Sequence, residues 1–276
     1  MLENKGREFR HPAQTFRVVC FDCDSTLVTV EGIDELARLK GQFDHIADLT
    51  RCAMDGELKL EDVFAERLRL LQPTRADLHQ IARAYLDHIV PDARQVITAL
   101  HAAGCRVHIV SGGLLLAVQE FARALGLPSQ NVHAVSVVFD QLAGQWWRYE
   151  RHRYGGNPDE RYLAFASTPL IETTGKRTVI AKISGNERAA MLVGDGITDL
   201  EARDAVKLFV GFGGVAHRER VAAEAEVYIE AHRLSAVVPL ALSATDARKL
   251  IGTEHEGVMQ RGLEDIEQGL VNFRKV

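Results

Sequence analysis

The sequence predicts an α/β protein: a doubly wound, Rossmann-like parallel sheet with a small helical cap inserted after the first strand. Three observations carry this. Short apolar, β-branched runs recur along the chain and end in polar or glycine-rich residues. Helical stretches fill several of the intervals between them. After the first run, about 60 residues show helical stripes and no strand signal. The 276 residues, 46% apolar and 26% charged, suffice for one large domain, or a domain with an insertion, around a real core.

The first run, Phe16 to Phe21 (FRVVCF), ends in Asp22 and reads as a buried parallel strand. A second, Arg106 to Val110, ends in Ser111-Gly112-Gly113, and a third spans Asn131 to Phe139. A fourth, Ala190 to Val193, ends in Gly194-Asp195-Gly196, and a fifth, Lys207 to Val210, ends in Gly211. Helical stretches such as Asp92 to Ala103 and Leu114 to Leu125 alternate with them, which implies right-handed βαβ units. Chemistry in such sheets sits at the carboxyl ends of the strands, so Asp22, Ser111 and Asp195 should converge.

The cap is read from three apolar stripes at helical spacing. Leu36 and Leu39 begin one, Val63, Phe64, Leu68 and Leu71 form another, and Leu78, Ile81, Tyr85 and Ile89 a third. Pro73 and Pro91 punctuate them. A cap of this kind excludes water and selects substrate. The expected division is a core of residues 14–29 and 90–242, a cap of 30–89 and a helical C-terminal extension of 243–276. In that extension Met259, Leu263, Ile266, Leu270 and Phe273 make one apolar helix face. Gly257, Gly262 and Gly269 each cost the helix about 1 kcal/mol, so it forms only if docked, on its own core or on a second copy.

A net charge of −5 gives no electrostatic reason to expect a nucleic-acid partner. Gln145 to Tyr162 is rich in Trp, Tyr and Arg; in an acidic chain it reads as an extended β-hairpin rather than a nucleic-acid surface. Met1 to Arg10 is polar, unlike a signal peptide, and no apolar run approaches the ~18 residues of a spanning helix. Cys20 and Cys23 form a CxxC inside a strand-like run. A redox pair would open a helix and a zinc site would need a second pair, so these and Cys52 and Cys105 read as reduced thiols of a cytoplasmic protein.

Asp22 and Asp24 are two carboxylates one residue apart at the end of a buried strand. In extended backbone both face one pocket, although Asp24 or Ser25 could instead cap the next helix. Gly194-Asp195-Gly196-Ile197-Thr198-Asp199 places two more carboxylates after another apolar strand. Four acids at neighbouring strand ends need a cation, and oxygen-rich, histidine-free ligation suits Mg²⁺. Mg²⁺ implies a phosphate, for which Ser111-Gly112-Gly113, read as opening a helix, offers a hydroxyl and open backbone N–H groups. Lys176, after Gly175 at a helix head, could neutralise its oxygens, although a lone lysine more often lies on the surface. The glycines of Gly211-Phe212-Gly213-Gly214 are weak support for a dinucleotide site, because the first strand ends in acids.

DxDST, SGG, a lone GK and GDGxTD, in this order, resemble the haloacid dehalogenase superfamily. FDCDSTLVTVEGIDELA, RCAMDGE, ERLRLLQP, VSGG, VGDGITDLEA and VGFGG resemble its phosphoserine phosphatase family, over Arg17 to Ile229 apart from the Trp-Trp insertion. The resemblance implies that Asp22 is a nucleophile forming an aspartyl-phosphate and Asp24 the acid and base. It implies Mg²⁺ held by Asp22, Asp195 and the Asp24 backbone carbonyl, with Asp199 in support. Ser111, Gly112, Gly113 and Lys176 would grip the phosphoryl group, with Thr198 nearby. Glu31 would read the substrate ammonium and Arg67 its carboxylate, with Met54 and Gly56 lining the pocket. Without the resemblance, Arg67 reads as a surface ion pair with Glu66 or Asp62.

The implied reaction is hydrolysis of O-phospho-L-serine, the last step of serine biosynthesis, by a monomer or homodimer with no nucleic-acid or membrane partner. Leu60, where the family often has an aromatic residue, and Asp55, often glycine there, leave room for another small phosphomonoester. A phosphotransferase passing the group to homoserine or another alcohol keeps the same nucleophile. A phosphate-sensing scaffold predicts a degraded site, yet Asp22, Asp24, Ser111, Lys176, Asp195 and Asp199 are all present.

Overall fold

The computed structural model describes residues 9–54, 60–140, 142, 160–185 and 190–274, with 50–54 and 60–61 as backbone alone. Gly56 and the greater part of the Trp-rich insertion therefore lie outside the described residues, as does the Met54 side chain. The strands are β1 Val18–Phe21, β2 Arg106–Leu114, β3 Val132–Val135, β4 Val137–Asp140, β5 Arg161–Phe165, β6 Ala190–Gly194, β7 Leu208–Phe212, β8 Val227–Ile229 and β9 Val271–Phe273. Seven of them form one sheet in the order β3-β2-β1-β6-β7-β8-β9, parallel except for the β8–β9 pair.

All four residues of β1 are buried, as a central strand covered on both faces requires. Successive residues point to opposite layers. Val19 and Phe21 join the larger apolar cluster with Leu100, Val107 and Phe121, while Val18 and Cys20 join a second with Ile180, Leu192 and Phe209. The register sets Phe21 beside Ile109 and Val193, so Asp22 emerges level with Val110 and Gly194, next to Ser111 and Asp195 in the chain.

The helices are α1 Gly32–Leu39, α2 Phe43–Met54, α3 Leu60–Leu71, α4 Arg75–Asp87, α5 Ala93–Ala102, α6 Leu115–Ala124, α7 Gly175–Ser184, α8 Ile197–Leu200, α9 Glu219–Glu224, α10 Val237–Ala241, α11 Ala244–Arg248 and α12 Glu256–Glu267. α1 to α4 follow β1 directly. Thr74 starts α4 with a capping box, its hydroxyl accepting from Asp77 N–H while the Asp77 carboxylate accepts from Thr74 N–H. Leu36, Leu68, Leu78, Ile81 and Tyr85, taken from all three predicted stripes, are buried in the common apolar core.

Three expectations are corrected. The run Asn131 to Phe139 is not one strand: β3 stops at Val135, and β4 pairs antiparallel with β5 in a separate two-stranded sheet. The break falls at Ser136, whose carbonyl accepts from Ala166 N–H at 2.8 Å and draws the chain off the edge of the parallel sheet. Ser111-Gly112-Gly113 does not open a helix; β2 runs irregularly through Leu114 and α6 begins at Leu115. The C-terminal apolar face does not stay helical to Phe273. Gly269, at φ +77°, reverses the chain after α12, and Val271–Phe273 becomes the antiparallel edge strand β9.

Docking of α12 is on the chain's own core. A Cβ on Gly262 would lie 2.4 Å from the Ser235 carbonyl oxygen, so glycine sets how closely the helix approaches. Arg233 donates to both carboxylate oxygens of buried Asp265 (2.7–3.1 Å), and Arg261 does the same to Asp92 (2.8 and 2.9 Å). The thiols of Cys20, Cys23 and Cys105 are buried and unbridged, and burial pushes Cys20 up to about 12, out of reach of redox chemistry.

On β2 and β3, His108 stacks on His133 with 3.3 Å between Nδ1 and Nε2, and its own Nε2 is buried without a hydrogen-bond partner. Burial, with the His133 and Arg106 charges adding, pulls His108 down to about 4. An unfolded imidazole titrates near 6.5, so between these values the unfolded chain binds more protons. Stability is therefore complete above pH 6.5 and falls by up to about 3 kcal/mol as the pH drops towards 4. His108→Leu should flatten that limb in urea unfolding measured across this range; an unchanged slope would assign the acid sensitivity elsewhere.

Candidate active site

Three carboxylates gather beyond the carboxyl ends of β1 and β6. Asp22, Asp195 and Asp199 are buried, and one oxygen of each lies within 4.8 Å of the others. Asp22 follows β1, where its backbone N–H continues the sheet by donating to the Val193 carbonyl at 2.9 Å. Its Oδ1 accepts from Cys23 N–H at 2.7 Å. Asp195 and Asp199 sit on the turn after β6, where Gly196 N–H donates to Asp199 Oδ2 at 3.1 Å. Gly194 leaves room for this arrangement, since a Cβ there would lie 2.2 Å from the Asp199 carboxyl carbon.

Lys176, at the head of α7, reaches into the cluster. Its Nζ lies 2.7 Å from Asp22 Oδ2 and 2.8 Å from Asp199 Oδ1, and the residue is buried. Burial alone would lower this ammonium, but Asp199 and Asp22 together hold it above the usual lysine range. The carboxyls are raised as well, which for them disfavours the charged form. Burial, then the charge of Asp22, pushes Asp199 well up, and the same two causes raise Asp195 against the opposing pull of Arg218. Oxygen-only donors, mutually repelling and shielded from water, fit a hard divalent cation.

Asp24 stands apart from the cluster. Its Oδ1 accepts from Gly32 N–H at 2.9 Å and from the Tyr85 hydroxyl at 2.7 Å. Burial, with the charge of Glu31 next, raises its carboxyl well above the usual range, the state of a proton donor. Its side chain is not among the clustered carboxylates; the resemblance had assigned its backbone carbonyl, not its side chain, to the metal. Ser25, at φ +52°, turns the chain here and donates to Glu31 Oε1 at 2.7 Å.

Ser111 is fully buried, and its Oγ accepts from Gly113 N–H at 2.9 Å. Gly112 continues the same segment and Thr198 lies on α8 between the two acidic residues of the turn. Arg67 is half-buried on α3, where burial lowers its guanidinium while Asp34 and Glu31 act to raise it. Glu66 is engaged by Arg69 at 2.5 and 2.7 Å, so the Glu66 pairing considered for Arg67 is taken by another residue.

Two residues escaped the sequence reading. Arg218 Nε donates to Asp195 Oδ2 at 2.8 Å and its Nη2 lies 3.8 Å from Glu31. It follows the glycine-rich end of β7, so the rule that chemistry gathers at strand ends could have found it. Thr26 donates to Asp195 Oδ1 at 3.2 Å from within the DxDST run itself.

A parallel sheet with a strand-end aspartate, a second aspartate two residues on, a buried lysine and a distal acidic turn defines a class of hydrolase. The family model of haloacid dehalogenase-like hydrolases matches residues 16–206, and the chain belongs to that family. Among its relatives, the phosphoserine phosphatase of Bos taurus is 34% identical over 213 residues, 76% of this chain and 88% of the relative. That of Drosophila melanogaster is 31% identical over 219 residues, 78% and 75% of the two chains. A solved structure described as a phospho-aspartyl intermediate analogue of phosphoserine phosphatase has a TM-score of 0.64 at 23% identity. It covers 82% of this chain and 98% of its own, a likeness of fold.

A divalent cation that binds the folded cluster must stabilise it by mass action, by about 2.7 kcal/mol at a hundred times its dissociation constant. Thermal melting with MgCl₂ titrated to saturation against EDTA should show an upward shift that Asp195→Asn removes. A shift that survives this substitution would place the cation elsewhere.

Proposed function

We propose that this chain hydrolyses O-phospho-L-serine to L-serine and phosphate with Mg²⁺, through an aspartyl-phosphate on Asp22. The observation that carries the reading is the division of labour between two buried carboxyls. Asp22 lies in the carboxylate cluster 2.7 Å from the Lys176 ammonium, whereas Asp24, outside that cluster, is held towards its protonated form by burial and the Glu31 charge.

An Asp22 oxygen attacks phosphorus, and the bond from phosphorus to the seryl oxygen breaks as that oxygen takes the proton of Asp24. Asp24, now a carboxylate, accepts a proton from water. That water attacks phosphorus, the bond to Asp22 breaks, and phosphate leaves. Asp22, Asp195 and the Asp24 backbone carbonyl, with Asp199 in support, would hold Mg²⁺, which would supply charge neutralisation at the phosphoryl oxygens.

Lys176 adds a second cation, in contact with Asp22 and Asp199. Because Ser111 Oγ accepts from Gly113 N–H, its own proton is directed away, towards a phosphoryl oxygen alongside Gly112. Thr198 borders this group. Glu31 takes the substrate ammonium and Arg67 its carboxylate, with Met54 and Gly56 lining the remainder. The reading includes the last step of serine biosynthesis, a monomer or homodimer, and a cytoplasmic setting supported by three buried free thiols. Among the described residues, no helix is long and apolar enough to cross a membrane.

Release of inorganic phosphate from O-phospho-L-serine, beside a panel of small phosphomonoesters, tests this. The expected result is release that EDTA abolishes, that favours phosphoserine, and that Asp22→Asn lowers by at least about a thousandfold. Preference for another ester would discard the substrate, and phosphate retained until homoserine is added would make the protein a phosphotransferase.

A further inference from the structure

Tyr85 entered the sequence reading only as one apolar position of a cap helix. It is indeed fully buried, packed edge-on against Phe121 with 5.6 Å between ring centroids. Its hydroxyl, however, needs a polar partner in that setting. The partner is Asp24 Oδ1, at 2.7 Å.

The contact is built from both sides. Gly32 N–H donates to the same oxygen at 2.9 Å, and a Cβ on Gly32 would lie 2.1 Å from the Tyr85 hydroxyl. The bare backbone of Gly32 is what lets the phenol reach the carboxyl. Two donors therefore converge on Oδ1 from the cap side. Oδ2 faces another wall, 3.2 Å from where a Cβ of Gly113 would stand, in the segment that carries Ser111.

We propose that Tyr85 is a positioning residue for proton transfer: with Gly32 N–H it occupies Asp24 Oδ1, so that Oδ2 alone carries the proton to the leaving oxygen. The inference rests on the reading of Asp24 as the acid. As the bond from phosphorus to the seryl oxygen breaks, its electron pair stays on that oxygen, which takes the proton from Oδ2. The negative charge left on Asp24 then strengthens the two hydrogen bonds at Oδ1, so both gain in the transition state. A cap residue thereby acts on the core's acid without touching the substrate.

Dependence on the leaving group separates this role from a structural one. A seryl alkoxide leaves poorly and needs the proton; p-nitrophenolate leaves well without it. kcat/KM reports the steps through loss of the leaving group. Tyr85→Phe keeps the buried ring and removes only the hydroxyl. It should lower kcat/KM for phosphoserine by about tenfold, the value of one hydrogen bond to a charged group, and leave that for p-nitrophenyl phosphate within about twofold.

Gly32→Ala, which displaces the hydroxyl instead of deleting it, should produce the same selective loss. The double variant should be no worse than the more severe single one, because both act on one contact. Gly32→Ala also carries the test if Tyr85→Phe does not fold. Equal losses on both substrates, or no loss on phosphoserine, would overturn the proposal. Asp24→Asn, run in parallel, distinguishes the two levels. If it shows the selective loss and Tyr85→Phe does not, Tyr85 alone is excluded; if it shows none, the reading of Asp24 itself fails.

Discussion

Burying several carboxylates in one place is the constraint on which this site depends. Asp22, Asp195 and Asp199 share a dry space with the Lys176 ammonium, which contacts two of them directly. Breaking a buried arrangement of this kind by removing one partner costs about 3–5 kcal/mol, so each member holds the others in register. The charges remain unbalanced on the acidic side even with Arg218 against Asp195, and burial and mutual repulsion raise Asp195 and Asp199 together. On the proposed function, a divalent cation would resolve that imbalance, and a phosphorylated substrate would meet cations at its oxygens.

The two halves of the fold divide the work. The register of the parallel sheet brings Asp22, Ser111 and Asp195 together from positions far apart in the chain. The cap reaches down to the neighbouring acid, through Gly32 at the head of α1 and Tyr85 on α4. Asp22 and Asp24, two residues apart, thus meet different walls of one pocket: Lys176 contacts the first, and Gly32 and Tyr85 the second. Ser25 donates to Glu31 Oε1 beside them, the carboxylate proposed to take the substrate's ammonium.

Much of this was legible in the sequence because it is written in local chemistry. Apolar runs ending in Asp22 and Gly194-Asp195-Gly196 gave the strand ends, and helical stripes gave the cap. Contacts between distant residues were less accessible. Tyr85 carries no local sign that it meets Asp24, and Arg218 only its place after the end of β7 to suggest its contact with Asp195. Ser136 looks like any residue inside a strand, yet the chain changes sheets there because Ala166 N–H claims its carbonyl. At the C-terminus the alternating three- and four-residue spacing ran on through Leu270 and Phe273. The reversal depended on Gly269 reaching φ +77° and on β8 offering an open edge, a tertiary fact.

The central claim is that phosphoryl groups pass through Asp22. The most direct measurement is to mix the protein with ³²P-labelled phosphoserine and Mg²⁺, quench in acid within the first turnover, and reduce with borohydride. An aspartyl-phosphate is converted to homoserine at its position, which peptide mass spectrometry locates. The account predicts acid-stable, hydroxylamine-labile label on the protein and homoserine at position 22. Label at another residue, or phosphate release with no labelled protein at any quench time, would contradict it.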